Sequence, residues 1–203
     1  MFDDVLVIIP ARKGSKRLPG KNKAIFAGKP LWLNAVYIAY GAGIKNIVVS
    51  TDDEEILSST KIEGVKGILM LKRSEQNTND EATQDDVVYE VVHEMERKGL
   101  GFKTVCVLHA TSPLLKPVTL KHALHTFRDK KLHCLIAVNK FTMKPCGAFY
   151  IFDRAEFMFG RTQWMLGLSI YILNGKEILD IDEIWDWRIA NSIFENGVYG
   201  RCN

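Results

Sequence analysis

The stretch that determines the fold is Val5-Leu6-Val7-Ile8-Ile9-Pro10-Ala11-Arg12-Lys13-Gly14-Ser15-Lys16-Arg17-Leu18-Pro19-Gly20-Lys21-Asn22. Its first residues form an apolar run that is rich in β-branched side chains and too short to span a membrane. Such a run is typical of a buried parallel strand. Pro10 ends the strand, because proline has no N–H to donate to a strand ladder. We therefore predict a buried strand at 5–9 with a loop at its carboxyl end.

The loop that follows contains glycine and carries five cations, which are Arg12, Lys13, Lys16, Arg17 and Lys21. An open α/β sheet binds polyphosphates in such a loop, because backbone N–H groups and basic side chains share the phosphate oxygens. The alternative is an ordinary basic surface loop. An ATP or GTP P-loop is rejected, since Gly14 and Gly20 are one residue too far apart and Asn22 stands where Ser or Thr would bind magnesium.

Composition limits the classes of protein to consider. The 203 residues are enough for one α/β domain at 1–203. A net charge of +3, with the cations concentrated in one loop, gives no case for a nucleic-acid partner. No window reaches the ~20 apolar residues of a membrane span, and the first residues lack the basic leader of a signal peptide, so we expect a cytoplasmic protein without membrane contact. The cysteines form no close pair, which favours reduced thiols over a zinc site; they are Cys106, Cys134, Cys146 and Cys202.

Strand and helix patterns alternate along the rest of the chain. Apolar runs predict strands at 46–50, 67–71, 104–108, 132–138 and 148–152. Helices are predicted at 29–43, 81–98 and 118–127. A further helix is predicted to begin after an N-cap at Thr51 or Asp52, and the last one begins at about Glu183. The first helix is expected to bury Leu31, Ala35, Ile38 and Ala39, and the last to bury Trp185, Trp187 and Ile189. This alternation predicts a three-layer α/β fold with a mostly parallel central sheet.

Two aspartates near the end of the chain form a second candidate site. In an extended segment Asp180 and Asp182 point to the same face, while Ile181 points to the other. Paired carboxylates suit Mg²⁺, a hard cation that prefers oxygen ligands and keeps several waters. The alternative is structural, with Asp182 capping the last helix and Asp180 in a turn.

The first stretch resembles the nucleotide-binding signature of the sugar-acid cytidylyltransferases, Pro-Ala-Arg-x-Gly-Ser-Lys-x-x-Pro-x-Lys-Asn. It is most similar to the acylneuraminate branch, the CMP-sialic acid synthetases, although 17–21 leans toward the branch that activates 3-deoxy-octulosonate. The segments 50–56, 111–114 and 180–186 are similar as well, so the resemblance covers nearly the whole chain. It implies a Rossmann-like nucleotidyltransferase fold and an enzyme that transfers CMP from CTP to a sialic-acid-like nonulosonate, with release of pyrophosphate.

The resemblance also implies roles for individual residues. Nucleotide contacts are expected from Ala11, Arg12, Gly14, Ser15, Lys16, Lys21, Asn22 and Arg73. Sugar-acid contacts are expected from His109, Thr111 and Ser112. The catalytic set is expected to be Arg12, Lys21, Asp180 and Asp182, with Mg²⁺ held by Asp180 and Asp182.

Two departures from the family pattern keep alternatives open. His109 stands where the family has Gln, so the acceptor can differ, for example a 3-deoxy-octulosonate-like or smaller acid. The family's dimerisation arm is mostly missing at 140–147, so a homodimer cannot be assumed from the resemblance. A nucleotide-binding module that has lost turnover is the other alternative. Retention of both Asp180 and Asp182 argues against that module, because a binding module needs no paired metal ligands.

Overall fold

The computed structural model describes residues 2–165 and 167–197. The strands, in chain order, are β1 (Val5–Pro10), β2 (Ile25–Phe26), β3 (Lys29–Pro30), β4 (Asn46–Thr51), β5 (Ile68–Lys72), β6 (Thr104–Leu108), β7 (Cys134–Asn139), β8 (Pro145–Asp153) and β9 (Leu168–Leu173). The α-helices are α1 (Leu31–Gly41), α2 (Glu54–Ser58), α3 (Gln84–Arg97), α4 (Pro117–Asp129), α5 (Arg154–Gly160) and α6 (Ile184–Glu195). Short 3₁₀ turns occur at Lys21–Lys23, Glu75–Asn77 and Gly175–Ile178.

The described residues form a seven-stranded central sheet in the order β5-β4-β1-β6-β8-β7-β9. β1 pairs in parallel with both β4 and β6, β4 pairs in parallel with β5, and β7 pairs in parallel with β9. β8 runs antiparallel to its neighbours β6 and β7. The predicted α/β fold with a mostly parallel sheet is therefore confirmed.

Helices cover both faces of this sheet. Along β1 the buried side chains alternate, with Val7 and Ile9 in one apolar cluster and Leu6 and Ile8 in the other. The first cluster includes residues of α1, α4 and α6, and the second includes residues of α3 and α5. A strand that is buried on both sides explains why the β1 sequence is a continuous apolar run rather than an alternating pattern.

The predicted helix faces and caps are partly right. The side chains expected to be buried in α1 are all buried, namely Leu31, Ala35, Ile38 and Ala39. The N-cap of α2 is Asp53, which accepts a hydrogen bond from the Glu55 N–H, and not Thr51 or Asp52. The N-cap of α6 is Glu183, which forms a capping box with Asp186, so Asp182 is not a helix cap.

Two predictions about the last helix are wrong. Trp185 is 64% exposed and Ile189 is 49% exposed, so neither is a core residue. The buried side of α6 carries Ala190, with Trp187 partly buried beside the Phe26 ring. Because an α-helix has 3.6 residues per turn, Trp185 and Ile189 lie on a different side of α6 from Trp187 and Ala190, which face the core.

The cysteines and the membrane question have simple outcomes. Cys106, Cys134 and Cys146 are buried free thiols, and Cys202 lies outside the described residues. Among the residues that the structure describes, no helix has the length and apolar character needed to cross a bilayer.

Candidate active site

The candidate site is a cavity of about 430 Å³ beyond the carboxyl ends of β1 and β6. The basic loop contributes to its wall Arg12, Ser15, Lys16, Lys21 and Asn22. Other elements contribute the predicted site residues Arg73, His109, Thr111 and Asp182. The carboxyl edge of a parallel sheet, where crossover connections diverge, is the usual ligand site of open α/β folds. The fold thus brings together most of the residues predicted from the sequence.

The basic loop is held by the end of β4. Ala11 donates its N–H to the Ser50 carbonyl at 2.9 Å, and the Thr51 hydroxyl donates to the Ala11 carbonyl at 2.6 Å. The Asp52 carboxylate accepts the Lys13 N–H at 2.7 Å. The segment 51–53 therefore does two things, since it caps α2 and also fixes the loop. Both the N–H and the carbonyl group of Ala11 therefore form hydrogen bonds that hold the loop.

Four predicted residues do not reach the wall of the main cavity. Ala11 is fully buried beneath the loop, and Gly14 lines an adjoining pocket with Arg12 and Lys16. The remaining two, Ser112 and Asp180, have side-chain oxygens that are buried below it.

Asp80 lies opposite the basic loop and joins two of its cations. Its carboxylate accepts Arg12 Nη1 at 3.1 Å and Lys16 Nζ at 2.8 Å. The hydrogen bond from Lys16, assisted by the one from Arg12, lowers the pKa of Asp80. No motif or spacing distinguishes this residue within the polar loop at 72–80. It is the principal addition that the structure makes to the predicted site.

Asp182 is held from the other side by two cations of the same loop. Lys21 Nζ donates to the Ile181 carbonyl at 2.7 Å and to Asp182 Oδ1 at 3.1 Å. Arg17 Nη1 donates to Asp182 Oδ2 at 2.8 Å. Burial alone would raise the pKa of Asp182, but the hydrogen bond and charge of Lys21, with Arg17, lower it overall. Asp182 is therefore ionised at neutral pH.

Asp180 is more deeply placed than Asp182. One of its oxygens, Oδ1, is buried and has no hydrogen-bond partner among the described residues. Burial raises the pKa of Asp180, the hydrogen bond from Thr111 opposes this, and the charge of Asp182 raises it further. Gly147 of β8 lies against this carboxylate so closely that a Cβ atom there would be 2.5 Å from Asp180 Oδ2. A buried carboxylate under these conditions is stabilised by a nearby cation.

These two carboxylates fit a divalent cation that takes few protein ligands. Among residues 2–165 and 167–197, no group of three or more His, Cys, Asp or Glu side chains could hold a metal ion by itself. Mg²⁺ is commonly bound by one or two carboxylates and completes its shell with phosphate oxygens and waters. The buried, unpartnered Oδ1 of Asp180 and the lone pairs left on Asp182 are suitable donors for such a cation.

Arg73 and Asn22 also line the cavity. The buried Arg73 donates through Nε to the carbonyl of Ser50 at 3.2 Å and to its hydroxyl at 3.1 Å. Burial lowers the pKa of Arg73 to about 10, so the guanidinium stays charged at neutral pH. Asn22 Nδ2 donates to the Arg12 carbonyl at 2.8 Å. Among the residues that the structure describes, no other group pairs with the Asn22 amide, so its second hydrogen and its carbonyl oxygen remain for a ligand.

His109 directly follows β6 and lines the cavity. Its backbone N–H donates to the Ala148 carbonyl at 3.2 Å, and its ring lies 5.6 Å from the Tyr150 ring. Its Nε2 atom is buried and has no hydrogen-bond partner among the described residues. Burial, together with the charge of Lys21, lowers the pKa of His109 to about 4. A neutral imidazole therefore faces the site at pH 7, with one donor and one acceptor.

Comparison with known proteins places this geometry in context. The sequence matches the family described as Cytidylyltransferase over residues 6–145. It is 35% identical to the pseudaminic acid cytidylyltransferase of Campylobacter jejuni subsp. jejuni serotype O:23/36, over 224 alignment positions that cover 94% of this chain and 96% of the relative. It is 31% identical to the CMP-N,N'-diacetyllegionaminic acid synthase of Legionella pneumophila, covering 87% of this chain and 80% of the relative.

The fold is shared with a solved structure of a cytidylyltransferase from Leptospira borgpetersenii. The two superpose with a TM-score of 0.69 at 18% sequence identity, over 95% of this chain and 87% of the other. The Campylobacter alignment, at 224 positions, is longer than the 203 residues of this chain, so that relative contains residues that are absent here.

Proposed function

This chain belongs to the cytidylyltransferase family of enzymes, as residues 5–22 indicated, and we propose that it transfers CMP from CTP to a sialic-acid-like nonulosonate and releases pyrophosphate, with Mg²⁺ as cofactor. We take residues 1–203 to act as one catalytic domain. The observation that carries the proposal is the cavity lined by Arg12, Lys16 and Lys21, in which Lys21 also contacts Asp182 at 3.1 Å. Several cations beside a carboxylate are what a triphosphate with a divalent cation requires.

The basic loop is suited to bind the triphosphate. Arg12 and Lys16 exchange the carboxylate of Asp80 for phosphate oxygens, which keeps each cation paired. Ser15 and backbone N–H groups of the loop add neutral donors. Asn22 and Arg73 face the nucleoside, and the free amide groups of Asn22 can pair with a base edge.

Transfer itself requires positioning and charge neutralisation more than a protein nucleophile. The acceptor hydroxyl attacks the α-phosphorus, a new P–O bond forms, and the bond to the β-phosphate breaks as pyrophosphate leaves. Mg²⁺ held by Asp180 and Asp182 would neutralise the developing charge and orient the phosphate. Lys21 fixes Asp182, and the hydroxyl of Thr111 with the close approach of Gly147 fixes Asp180.

The acceptor class rests on the similarity and on residues that line the cavity. Both relatives are named for nonulosonates, which favours a nine-carbon sugar acid for this chain. His109 and Thr111 supply the polar groups that would meet the acid. A 3-deoxy-octulosonate-like or smaller acid is the second candidate, because His109 differs from the family's Gln and because a 3-deoxy-manno-octulosonate cytidylyltransferase of Rhizobium etli is 30% identical over 64% of this chain.

The proposal is tested by pyrophosphate release from CTP and Mg²⁺ with sialic, legionaminic, pseudaminic and 3-deoxy-octulosonic acids as acceptors. We expect turnover with a nine-carbon acid and loss of turnover in Asp180→Ala. Asp129→Asn, at the far end of α4, is the matched control and should turn over normally. CTP binding without turnover on any acceptor would instead support a nucleotide-binding module.

Base recognition by Asn22 needs a separate readout. Because the Asn22 amide also holds the Arg12 carbonyl, Asn22→Ala is expected to slow the reaction through the loop as well. The ratio of rates with CTP and UTP cancels that shared effect. A ratio that is unchanged in Asn22→Ala would remove Asn22 from base recognition.

A further inference from the structure

The outer edge of the sheet at β9 is unprotected. Among residues 2–165 and 167–197, β7 is the strand that pairs with β9, and no strand lies on its other side. The β9 sequence, Leu168-Ser169-Ile170-Tyr171-Ile172-Leu173, contains no charged residue and no proline. Proteins usually protect an edge strand with Lys, Pro or a covering element, because its free backbone groups can pair with another chain.

One face of β9 is apolar and exposed. Leu168, Ile170 and Ile172 are 40%, 47% and 50% exposed. Their register partners on β7 are buried in the core, namely Cys134, Ile136 and Val138. The apolar surface of the sheet therefore continues from the core into solvent.

Two aromatic side chains extend this surface. Trp164 is 55% exposed, and its ring lies 6.3 Å from the ring of Tyr150. Tyr150 is the residue of β8 that pairs with Ile136 of β7. Phe141 is 76% exposed and lies in the turn after β7, where the Lys140 N–H donates to the Leu173 carbonyl at 3.0 Å. We call Phe141, Trp164, Leu168, Ile170 and Ile172 the β9 patch.

The opposite face and the opposite edge do not share this exposure. On the other face of β9, Leu173 is buried and the Tyr171 hydroxyl contacts His122 of α4 at 2.8 Å. At the other edge, β5 has partly buried side chains from Ile68 to Leu71 and ends in Lys72, which pairs with Glu54 at 2.7 Å. Exposure at the β9 patch is therefore a local feature and not a general property of sheet edges in this chain.

We propose that the β9 patch is the contact between two copies of this chain, with β9 of one protomer against β9 of its partner about a two-fold axis. The patch exposes on the order of 500 Å² of apolar surface, taking about 150–250 Å² for each fully exposed aromatic ring and somewhat less for Leu and Ile. A stable interface covers about 800 Å² on each partner, of which about 56–65% is apolar. The β9 patch supplies that apolar share.

A second copy fits this surface because an isologous contact places the same residues on both sides. The β9 strand carries no charge, so it meets no like-charge repulsion when it packs against itself.

The test is the mass of the full-length chain in solution, measured by sedimentation equilibrium over a range of concentrations. We expect a dimer for the unaltered chain and at least a tenfold weaker dimer for Ile170→Lys, since the substitution places like charges on both sides of the axis. Ile172→Lys is the second variant and should act in the same way if Ile170→Lys folds poorly. Circular dichroism and thermal melting establish that each variant is folded.

Ile189→Lys on α6 is the matched control, because Ile189 is 49% exposed and also apolar. It should leave the dimer intact. A monomeric unaltered chain would overturn the proposal, and so would a dimer that both β9 variants retain. If Ile189→Lys gave monomers and Ile170→Lys did not, the dimer would form through α6 and the proposal would be wrong.

Discussion

Asp80 holds two cations that we propose bind the triphosphate of CTP. Arg12 and Lys16 both contact its carboxylate, and all three side chains are substantially exposed. We expect Asp80→Asn to lower the KM for CTP about two- to tenfold, because each exposed ion pair contributes only about 0.2–1 kcal/mol and both compete with phosphate. Initial rates at varied CTP concentration measure this.

The control for Asp80→Asn is Asp129→Asn, at the end of α4 on the amino-terminal side of the sheet. It should leave the KM unchanged. A KM that rises in Asp80→Asn would mean that Asp80 positions Arg12 and Lys16 for the triphosphate and does not compete with it.

The protonation of His109 makes the free energy of unfolding depend on pH. Burial lowers the pKa of His109 from its usual 6.5 to about 4 in the folded chain. Between these values the unfolded chain binds a proton that the folded chain does not, so the free energy of unfolding falls as the pH drops from about 6.5 to 4. We expect His109→Gln to lose this part of the slope, measured by urea unfolding at several pH values.

A matched change for comparison is His93→Gln, on the exposed surface of α3. It should keep the slope of the unaltered chain in the same pH range. Identical slopes in His109→Gln and the unaltered chain would show that the imidazole takes up its proton equally well in both states.

At the scale of elements, β8 positions a carboxylate through a residue without a side chain. Gly147 has a φ of +71°, and a Cβ atom there would be 2.5 Å from Asp180 Oδ2. Gly147→Ala must therefore displace Asp180, and we expect kcat to fall more than tenfold. The measurement is turnover at saturating CTP and acceptor.

Backbone strain alone is separated from this effect by Gly99→Ala. Gly99 has a similar φ of +76°, but nothing lies within 4 Å of its Cβ position. It should lose about 1–2 kcal/mol of stability and keep its kcat. Equal kcat values in the two variants would remove Asp180 placement as the function of Gly147.

The elements differ in how well the sequence predicts them. β1, β4 and β6 are predictable because a strand buried on both faces is a short apolar run between polar loops. α5 is too short for a helical period to stand out, so the sequence does not predict it, and β9 is a second element that is not predicted. Trp185 was misplaced because its size suggests burial, whereas the docking side of α6 is set by Ala190 and Trp187.

At the scale of the whole molecule, the site divides into local and long-range parts. The basic loop and the two aspartates can be predicted from the sequence because each is a short continuous motif. The pairing of Arg12 with Asp80 joins residues 68 positions apart, and the anchoring of Lys13 by Asp52 joins residues 39 apart. Such contacts depend on which loops the sheet brings to one edge, so periodicity along the chain could not predict them.

The melting temperature reports ligand binding at the site, because a ligand that binds only the folded chain stabilises the whole fold. At 100 times its Kd, CTP with Mg²⁺ contributes about 2.7 kcal/mol. A chain of this size gains about 2–4 °C for each kcal/mol, so we expect a rise of about 5–10 °C. Differential scanning calorimetry with CTP alone and with CTP plus Mg²⁺ measures the metal-dependent part.

Asp180→Asn should change this pattern in two opposite ways. Because burial raises the pKa of Asp180, its ionised form opposes folding at neutral pH, and a neutral amide of the same shape should raise the melting temperature without ligand. The same change removes a proposed Mg²⁺ ligand, so the extra rise on adding Mg²⁺ to CTP should disappear while the rise with CTP alone remains. A variant that melts lower without ligand, or that keeps the full response to Mg²⁺, would show that Asp180 supports the fold and not the metal.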